Sequence, residues 1–398
     1  MNAAATNNTA QLRNSYTKYD ALGNHILIIE TSLNELGPLN PKQSNWPQQS
    51  HWSNTARSLL APANPAQGPG GDQLLLIARA TNPANNHANT EYWLVRVFNA
   101  DGSTAGMCGN GTRCVMHHAF THYSEAAATI SFINDDGVTT RTIYSRAVLS
   151  RAVHSRAVHS SDKSKLDPKT IDTFVAAQVD IGTPMLALDK ILVECANAPD
   201  RVIAPDSALR RMQAHRISLA PADDPALATA LLASGCEPFA HVVNVGNPHA
   251  ILWYQLNVSP LSNQIRAAHV QTLGPLIQAL AWQGVRVFPQ GVNVSIAALE
   301  LGSMDAITLL LETYERGSGY THACASGACA AAFVALSKFD QNLSKQTAII
   351  RMSGGDLRVL LLDTPAKENA SSLEEADFTL VMEGPATPTE SGLWHPAT

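Results

Sequence analysis

Two cysteines are the residues of this sequence whose surroundings favour chemistry. Cys108 stands in NADGSTAGMCGNGTRC, and Cys324 stands in ERGSGYTHACASGACAAA. Each cysteine follows a polar approach and precedes a glycine-containing turn and an apolar, helix-like tail. A thiol at a helix N-terminus lies beside unpaired backbone N–H groups and the positive end of the helix dipole, both of which lower its pKa. The pattern therefore predicts two thiols of lowered pKa, each at the start of a helix.

The duplication of this pattern predicts a particular kind of reaction. Two such helix starts that face each other would hold a small acid between a thiolate and a thiol, and their backbone N–H groups can bind its carboxylate. One sulfur would remove a proton from a carbon atom while the other delivers a proton to the opposite face. The sequence therefore predicts a racemase or an epimerase.

Two other interpretations of the cysteines remain open. Free cysteine is commonly a small core residue, and this fits Cys114, Cys195, Cys236 and Cys329, which lie in apolar segments. Metal binding is disfavoured, because the paired cysteines lie six and five residues apart rather than at the C-x2-C spacing of zinc ribbons. We therefore expect no metal site.

Length, charge and composition narrow the class of protein. A chain of 398 residues is too long for one ordinary core and predicts two domains. The net charge of -6 gives no electrostatic case for nucleic acid or an anionic membrane as a partner. No uncharged apolar stretch reaches the ~18 residues of a membrane span, and the N-terminal segment lacks the apolar core of a secretion signal. We expect a cytoplasmic protein with free thiols.

The elements that must position the cysteines are mostly strands. Apolar or alternating segments of strand length recur along the chain, whereas helices are predicted only from Asn110, from Ser326 and over residues 263–282. This mixture predicts an α+β fold, and the two cysteine segments predict two related halves. Three stretches are expected to be exposed insertions, namely residues 39–70, residues 145–160 with their SRAVH repeat, and residues 197–225.

The sequence resembles the diaminopimelate epimerase family, whose enzymes interconvert LL- and meso-diaminopimelate without a cofactor in lysine and peptidoglycan-precursor biosynthesis. The motifs that carry the resemblance span most of the chain and include KYDALGNHILIIE, GGDQLLLI, FNADGSTAGMCGNGTRC, VDIGTPML, VGNPHAIL, FPQGVNV, YERGSGYTHACASGACAAA and MSGGDLRV. The resemblance implies two pseudo-symmetric α/β halves. Each half would be a mostly antiparallel or mixed sheet wrapped around a central helix, with the active site in the cleft between them.

The resemblance also implies an organisation and a set of partners. Residues 1–176 would form the first half, joined by a return of residues 384–398, and residues 177–383 would form the second half. The expected ligand is a small molecule, diaminopimelate, with no cofactor, no nucleic acid and no membrane. A homodimer is also expected.

The family's functional residues map onto this chain motif by motif. Cys108 and Cys324 would be the acid–base pair, assisted by His249 and Glu315. The residues similar to those that bind the reacting amino-acid end are Asn24, Gln73, Gly109, Asn110, Ala325 and Ser326. The residues similar to those that bind the distal amino-acid group are Asn99, Asn247, Asn293, Glu315 and Arg316.

Two departures from the family pattern leave other functions open. Ala325 replaces the glycine that follows the second cysteine, and a positive φ there would cost an alanine of order 1 kcal/mol or more. His25 replaces the aspartate of the usual Gly-Asn-Asp. The alternatives are a racemase of the same fold for another amino acid, a non-catalytic amino-acid-binding paralogue, and an accessory isomerase that acts on unsaturated carboxylic acids.

Overall fold

A computed structural model gives the fold for most of the chain. It describes residues 15–37, 49–61, 68–81, 91–134, 139–153, 170–182, 202–203, 215–219, 224–255, 261–282, 284–300, 306–339, 347–363 and 378–393. The predictions that concern Cys195 and residues 154–160 of the SRAVH stretch fall outside these ranges.

The described part of the chain contains six helices and twenty-one strands. The helices are α1 (Leu33–Leu36), α2 (Gln49–Leu60), α3 (Gly109–Tyr123), α4 (Pro225–Ser234), α5 (Asn263–Gln278) and α6 (Ala325–Phe339). The first strands are β1 (Ser15–Asp20), β2 (His25–Glu30), β3 (Gln73–Thr81), β4 (Glu91–Asn99), β5 (Thr104–Ala105), β6 (Ala127–Ile133), β7 (Thr139–Val153) and β8 (Thr170–Gly182). The next are β9 (Val202–Ile203), β10 (His215–Ser218), β11 (Cys236–Asn244), β12 (Pro248–Tyr254), β13 (Ala281–Trp282), β14 (Val285–Arg286) and β15 (Asn293–Glu300). The last are β16 (Ile307–Glu315), β17 (Gly319–Thr321), β18 (Thr347–Met352), β19 (Gly355–Asp363), β20 (Phe378–Gly384) and β21 (Thr387–Leu393).

One continuous hydrogen-bonded sheet carries the fold. Its strand order is β21-β1-β2-β3-β4-β6-β7-β8-β20-β19-β18-β16-β15-β12-β11-β10-β9. The short strands β5 and β17 pair with β4 and β16, and β13 pairs with β14 in a separate hairpin. The β8–β20 pairing therefore joins the part of this order from β21 to β8 to the part from β20 to β9 in one sheet.

The same topology occurs twice within this sheet. The strands β1, β2, β3, β4, β6, β7 and β8 pair successively as antiparallel, parallel, antiparallel, parallel, antiparallel and antiparallel neighbours. The strands β11, β12, β15, β16, β18, β19 and β20 repeat this order of pairings. Helix α3 follows β5 as α6 follows β17. This repeat confirms the predicted α+β fold with two pseudo-symmetric halves.

Each half encloses one of the two helices that follow a cysteine. Helix α3 packs against β2, β6, β7 and β8, and α6 packs against strands from β11 to β20. Helix α6 reads ASGACAAAFVALSKF, and its side chains from Ala325 to Leu336 are buried on every face. Small side chains allow a sheet to approach a helix closely from several directions. The alanines of α6 thus suit a helix that a sheet surrounds.

The chain returns to the first half at its last described strand. Strand β21 pairs antiparallel with β1, and the Tyr16 hydroxyl donates to a Glu390 carboxylate oxygen at 2.5 Å. Strand β8 runs across the predicted boundary at residues 176/177 and pairs with β7 on one side and β20 on the other. The division into units at that boundary stays a prediction.

Two of the stretches expected to be exposed insertions contain regular, partly buried structure. Within residues 39–70, helix α2 buries Trp52, Ala56 and Leu59, which recur at helical spacing and pack against β3 and β4. The first part of the SRAVH stretch belongs to β7, where Ser145 is buried and its hydroxyl donates to the Gln178 carbonyl. The expectation of exposed loops is therefore wrong for these parts.

Two further boundaries differ from expectation. Ile217 of the third stretch is buried in β10, which pairs with β11, so that part is not peripheral. The helix predicted over residues 263–282 ends at Gln278, and Trp282 lies in β13. Within the described ranges, no helix has both the length and the apolar character needed to cross a membrane.

Candidate active site

Cys108 forms the N-cap of α3. Its backbone is extended, with φ -135 and ψ 110, and its Sγ accepts a hydrogen bond from the Gly111 N–H at 3.1 Å. Its carbonyl oxygen accepts from the N–H and the hydroxyl of Thr112. A Cβ on Gly111 would lie 3.2 Å from Sγ, so glycine suits this position. The sulfur therefore takes the place of the oxygen with which a serine or aspartate usually caps a helix.

Cys324 repeats this arrangement at the start of α6. Its Sγ accepts from the Gly327 N–H at 3.3 Å, and its carbonyl oxygen accepts from the Ala328 N–H at 2.8 Å. A Cβ on Gly327 would lie 3.2 Å from Sγ. The sequence repeat is thus a repeat of cap geometry, which confirms the prediction that each cysteine stands at the start of a helix.

The two helix starts face each other in contact. A Cβ built on Gly109, the first residue of α3, would lie 2.9 Å from the Cβ of Ala325, the first residue of α6. The backbone at Ala325 is not in the left-handed region, since Leu22 and Ser124 are the non-glycine residues with positive φ in the described ranges. The strain considered for alanine at this position is therefore absent.

A cavity of about 460 Å³ opens beside the two helix starts. The predicted residues that line it are Asn24, Gln73, Asn99, Cys108, Gly109, Asn110, Asn247, Glu315, Cys324, Ala325 and Ser326. This volume suits a small-molecule ligand. The structure thus gathers around one cavity eleven residues that are far apart in the sequence.

Three predicted residues do not line the cavity. His249 and Asn293 lie behind it: the His249 Nε2 is 3.0 Å from the Ser326 hydroxyl, and the Asn293 amide nitrogen is 3.4 Å from the same Nε2. The Arg316 backbone N–H donates to the Asn293 side-chain oxygen at 2.8 Å, while its guanidinium donates to the Gln290 carbonyl. The Arg316 side chain therefore does not reach the cavity in this structure.

Burial dominates the acidity of both thiols. It raises the pKa of Cys108 to about 12 and raises the pKa of Cys324 well above its usual value. The hydrogen bonds from the Gly111 and Gly327 N–H groups act in the opposite direction, but they are smaller effects. The expectation of lowered pKa values is therefore wrong for this structure, because loss of hydration outweighs the helix N-termini.

Glu315 and Ser326 are the polar neighbours of the Cys324 thiol. Burial raises the pKa of Glu315, which accepts a hydrogen bond from the Thr321 hydroxyl at 2.6 Å and is hydrogen-bonded to Cys324. The Ser326 hydroxyl lies 3.6 Å from the Cys324 Sγ. Burial lowers the pKa of His249 to about 3, so its imidazole is neutral. The Ser326 hydroxyl therefore lies between the His249 imidazole and the Cys324 thiol.

The sequence did not single out several other residues that line the cavity. These are Gly23, Asp72, Ala100, Asp101, Met107, Gly317, Ser318, Tyr320, Thr321 and His322. Asp72 adjoins the predicted Gln73 in the sequence, and Asp101 lies close to the predicted Asn99. This proximity in the sequence is the signal by which both aspartates could have been found. Within the described ranges, no group of three or more His, Cys, Asp or Glu side chains is arranged to hold a metal ion.

Comparison with known proteins shows which enzymes the chain is similar to. The family model described as "Diaminopimelate epimerase" matches residues 49–148. The diaminopimelate epimerase of Brucella canis is 28% identical over 335 residues, covering 82% of this chain and 78% of that protein. The diaminopimelate epimerase of Afipia carboxidovorans is 26% identical over 396 residues, covering 98% and 97%. The chain is therefore similar to diaminopimelate epimerases along most of its length.

A solved structure supports the fold. A probable proline racemase from Agrobacterium radiobacter K84, with bound carbonate, matches with a TM-score of 0.53 and 11% identity. The match covers 96% of this chain and 92% of that protein. The likeness concerns the fold alone, whereas the similarity in sequence to named epimerases supports an isomerase.

Proposed function

We propose that the protein epimerises LL-2,6-diaminopimelate to meso-diaminopimelate in lysine and peptidoglycan-precursor biosynthesis, without pyridoxal phosphate. The observation that carries the proposal is the contact between two helix starts, each capped by a buried cysteine, at one cavity. Inversion of a stereocentre requires a proton acceptor on one face of the carbon and a proton donor on the other. We assign these two roles to Cys108 and Cys324.

The proposed proton transfers balance between the two sulfurs. A thiolate at one cysteine removes the α-proton and becomes a thiol, while the opposite thiol protonates the carbon and becomes a thiolate. The excess charge passes onto the substrate carboxylate during the transfer. Backbone N–H groups at the two helix starts, at Gly109, Asn110, Ala325 and Ser326, are positioned to stabilise that charge in a cavity with little water.

Ionisation of a buried thiol requires a proton acceptor. The Glu315 carboxylate is hydrogen-bonded to Cys324, and its own raised pKa makes it a better base than an exposed glutamate. We therefore assign to Glu315 the uptake of the Cys324 proton. His249, through Ser326, is assigned the positioning of the residues beside that thiol.

The test uses proton NMR of the reduced protein with LL-diaminopimelate in D2O, followed by resolution of the stereoisomers. The proposal expects deuterium at one α-carbon together with the meso product. Cys108→Ala and Cys324→Ala should each abolish epimerisation. Cys114→Ala and Cys329→Ala are matched controls, because these buried cysteines lie on the same two helices but do not line the cavity. Near-full turnover in either of the first two variants would contradict the two-base mechanism.

One observation favours a second candidate, a racemase of the same fold that acts on a basic amino acid. The residues that line the cavity include the carboxylates of Asp72, Asp101 and Glu315 but no lysine or arginine, within the part of the chain described. Such a lining suits an ammonium group better than a second carboxylate. α-Deuteration of lysine or ornithine that exceeds that of diaminopimelate, measured in the same NMR experiment, would favour this candidate.

A further inference from the structure

Arg113 is a buried cation that connects three segments of the chain. Its side chain has 0% exposure, on the first turns of α3. Its guanidinium donates to the Asn110 side-chain oxygen at 3.1 Å, to the Ala21 carbonyl at 3.4 Å and to the Pro385 carbonyl at 3.0 Å. All three acceptors are uncharged, and no carboxylate among the described residues bonds it. Burial of a charge without a hydrogen-bonded counter-charge is unfavourable, which an apolar residue at this position would avoid.

The contact with Arg113 determines how the Asn110 amide is oriented. A guanidinium only donates hydrogen bonds, so the amide oxygen of Asn110 must face it. The amide nitrogen then points away, and it donates to the Ala323 carbonyl at 3.0 Å. An arginine in the first half therefore sets a hydrogen bond to the residue that precedes Cys324.

A second amide reaches the same carbonyl. The Asn24 side-chain nitrogen also donates to the Ala323 carbonyl. Asn24 lies in the turn between β1 and β2, where the Ala21 N–H donates to the Asn24 carbonyl at 2.9 Å. Because Arg113 binds the Ala21 carbonyl of this turn, it supports both asparagines. A carbonyl oxygen with two amide donors has its full complement of hydrogen bonds.

This pair of hydrogen bonds is a contact between the halves of the fold. The preceding carbonyl, that of His322, accepts from the Gly354 N–H at 2.9 Å and from the Ser353 hydroxyl at 3.2 Å, both in the second half. The two peptide groups before Cys324 are therefore held by different halves, the first by the β18–β19 turn and the second by the two asparagines.

We propose that Arg113 is a positioning residue that, through Asn110 and the β1–β2 turn, fixes the Ala323 carbonyl and thereby places Cys324 opposite Cys108. Arg113 touches neither cysteine sulfur through a hydrogen bond and acts through the chain that precedes Cys324. The consequence for turnover rests on the proposed function. The consequence for the order of residues 322–327 does not.

The first experiment measures backbone hydrogen–deuterium exchange by mass spectrometry without substrate. Arg113→Lys keeps the positive charge but loses the planar, forked guanidinium. It should raise the rate of backbone exchange at residues 323–328 about tenfold, as expected for loss of one to two hydrogen bonds. Asn110→Asp keeps an acceptor for Arg113 and removes the donor to Ala323. It should raise exchange at residues 323–328 while residues 108–114 stay protected, and it remains decisive if Arg113→Lys does not fold.

Arg96→Lys is the matched control. Arg96 has 1% exposure and donates to the Leu36 and Asn134 carbonyls, so it is also a buried arginine that binds carbonyl groups, but it is remote from Ala323. It should leave exchange at residues 323–328 unchanged. Equal exchange in all variants, or the same rise in Arg96→Lys, would overturn the proposal.

A kinetic measurement separates this inference from the proposed function. Arg113→Lys should lower kcat at least tenfold, an order-of-magnitude expectation for misplacement of a catalytic group, with KM nearly unchanged. A wild-type protein that leaves diaminopimelate unaltered, with the exchange result as expected, would overturn the function and support the positioning role. Normal wild-type turnover with unchanged exchange and kcat in Arg113→Lys would overturn the positioning role alone.

Discussion

The contact between Gly109 and Ala325 leaves no room for another methyl group between the two helix starts. A Cβ on Gly109 would lie 2.9 Å from the Ala325 Cβ and 3.4 Å from the Met382 Cε. Gly109→Ala should therefore lower the free energy of unfolding by about 1–3 kcal/mol, the usual range for overpacking, and should reduce activity. Urea unfolding measures the first effect.

The double variant Gly109→Ala with Ala325→Gly is the internal control. It moves the methyl group from one helix start to the other, so it should recover most of the stability that Gly109→Ala loses. A Gly109→Ala protein as stable as the wild type would show that this contact does not limit the approach of the halves.

His249 should make stability depend on pH on the acidic side of neutrality. Burial lowers its pKa to about 3, whereas an unfolded histidine titrates near 6.5. Between these values the unfolded chain binds more protons than the folded one. The contribution of His249 is therefore complete above about pH 6.5 and is lost as the pH falls towards 3.

The measurement compares His249→Gln with the wild type in urea at several pH values within this window. The variant should show the shallower dependence of unfolding free energy on pH. His117, whose pKa burial lowers to about 4, contributes in the same direction in both proteins. Parallel curves for His249→Gln and the wild type would refute the prediction.

At the scale of residues, the motifs predicted much of the site because residues next to a cysteine in the sequence must also lie next to it in the folded chain. The two residues that follow each cysteine must lie beside it, wherever the fold places the helix cap. These residues are Gly109 and Asn110 for Cys108, and Ala325 and Ser326 for Cys324. Arg316 could not be predicted in the same way, because its guanidinium has a competing acceptor in the Gln290 carbonyl that only the folded chain brings near.

At the scale of elements, each cysteine also stabilises its helix as a cap. Cys108→Ser should retain this role, because a serine hydroxyl accepts from the N3 N–H, whereas Cys108→Ala should lose about 1 kcal/mol of stability. The same order is expected for Cys324. Neither serine variant should epimerise, since a hydroxyl is a far weaker acid than a thiol.

Urea unfolding of the four variants beside activity measurements tests this separation. The serine variants should be inactive yet more stable than the alanine variants. Equal stability of the serine and alanine variants would mean that the sulfur contributes nothing to the cap.

The element that sequence analysis misjudged most clearly is α2. Its neighbourhood is rich in Pro, Asn, Gln and Ser, which favours loops. The helix nevertheless forms because Trp52, Ala56 and Leu59 lie on one face and find an apolar surface on β3 and β4. That surface belongs to strands later in the chain, so local composition could not reveal it, and tertiary packing decided the structure.

At the scale of the whole molecule, β21 should stabilise the first half. A variant that ends at Ala386 lacks this strand and leaves β1 without its outer partner and Tyr16 without Glu390. At about 1 kcal/mol for each lost hydrogen bond, the midpoint of thermal unfolding should fall clearly. A variant that ends at Leu393 serves as the control, because it keeps all of β21. An unchanged midpoint in the shorter variant would show that β1 needs no outer partner.

The repeat of topology was predictable from the repeat of cysteine motifs, but the order of strands was not. Sequence motifs mark where each half carries its helix, whereas strand neighbours such as β8 and β20 pair across a large separation in the chain. Their pairing depends on both halves being complete, and no local pattern near Val179 or Met382 specifies it.

The pairing of β1 with β21 has a consequence for folding of the chain during its synthesis on the ribosome. Tyr16 and Glu390 are separated by 374 positions, so β1 emerges from the ribosome long before its outer partner has been translated. Until then, that side of β1 is an open strand edge with unpaired backbone N–H and C=O groups, which can pair with strands of other protein chains. Emergence of β21, rather than emergence of the first half, therefore marks the moment at which this edge can close, and a chaperone would have its greatest effect before it.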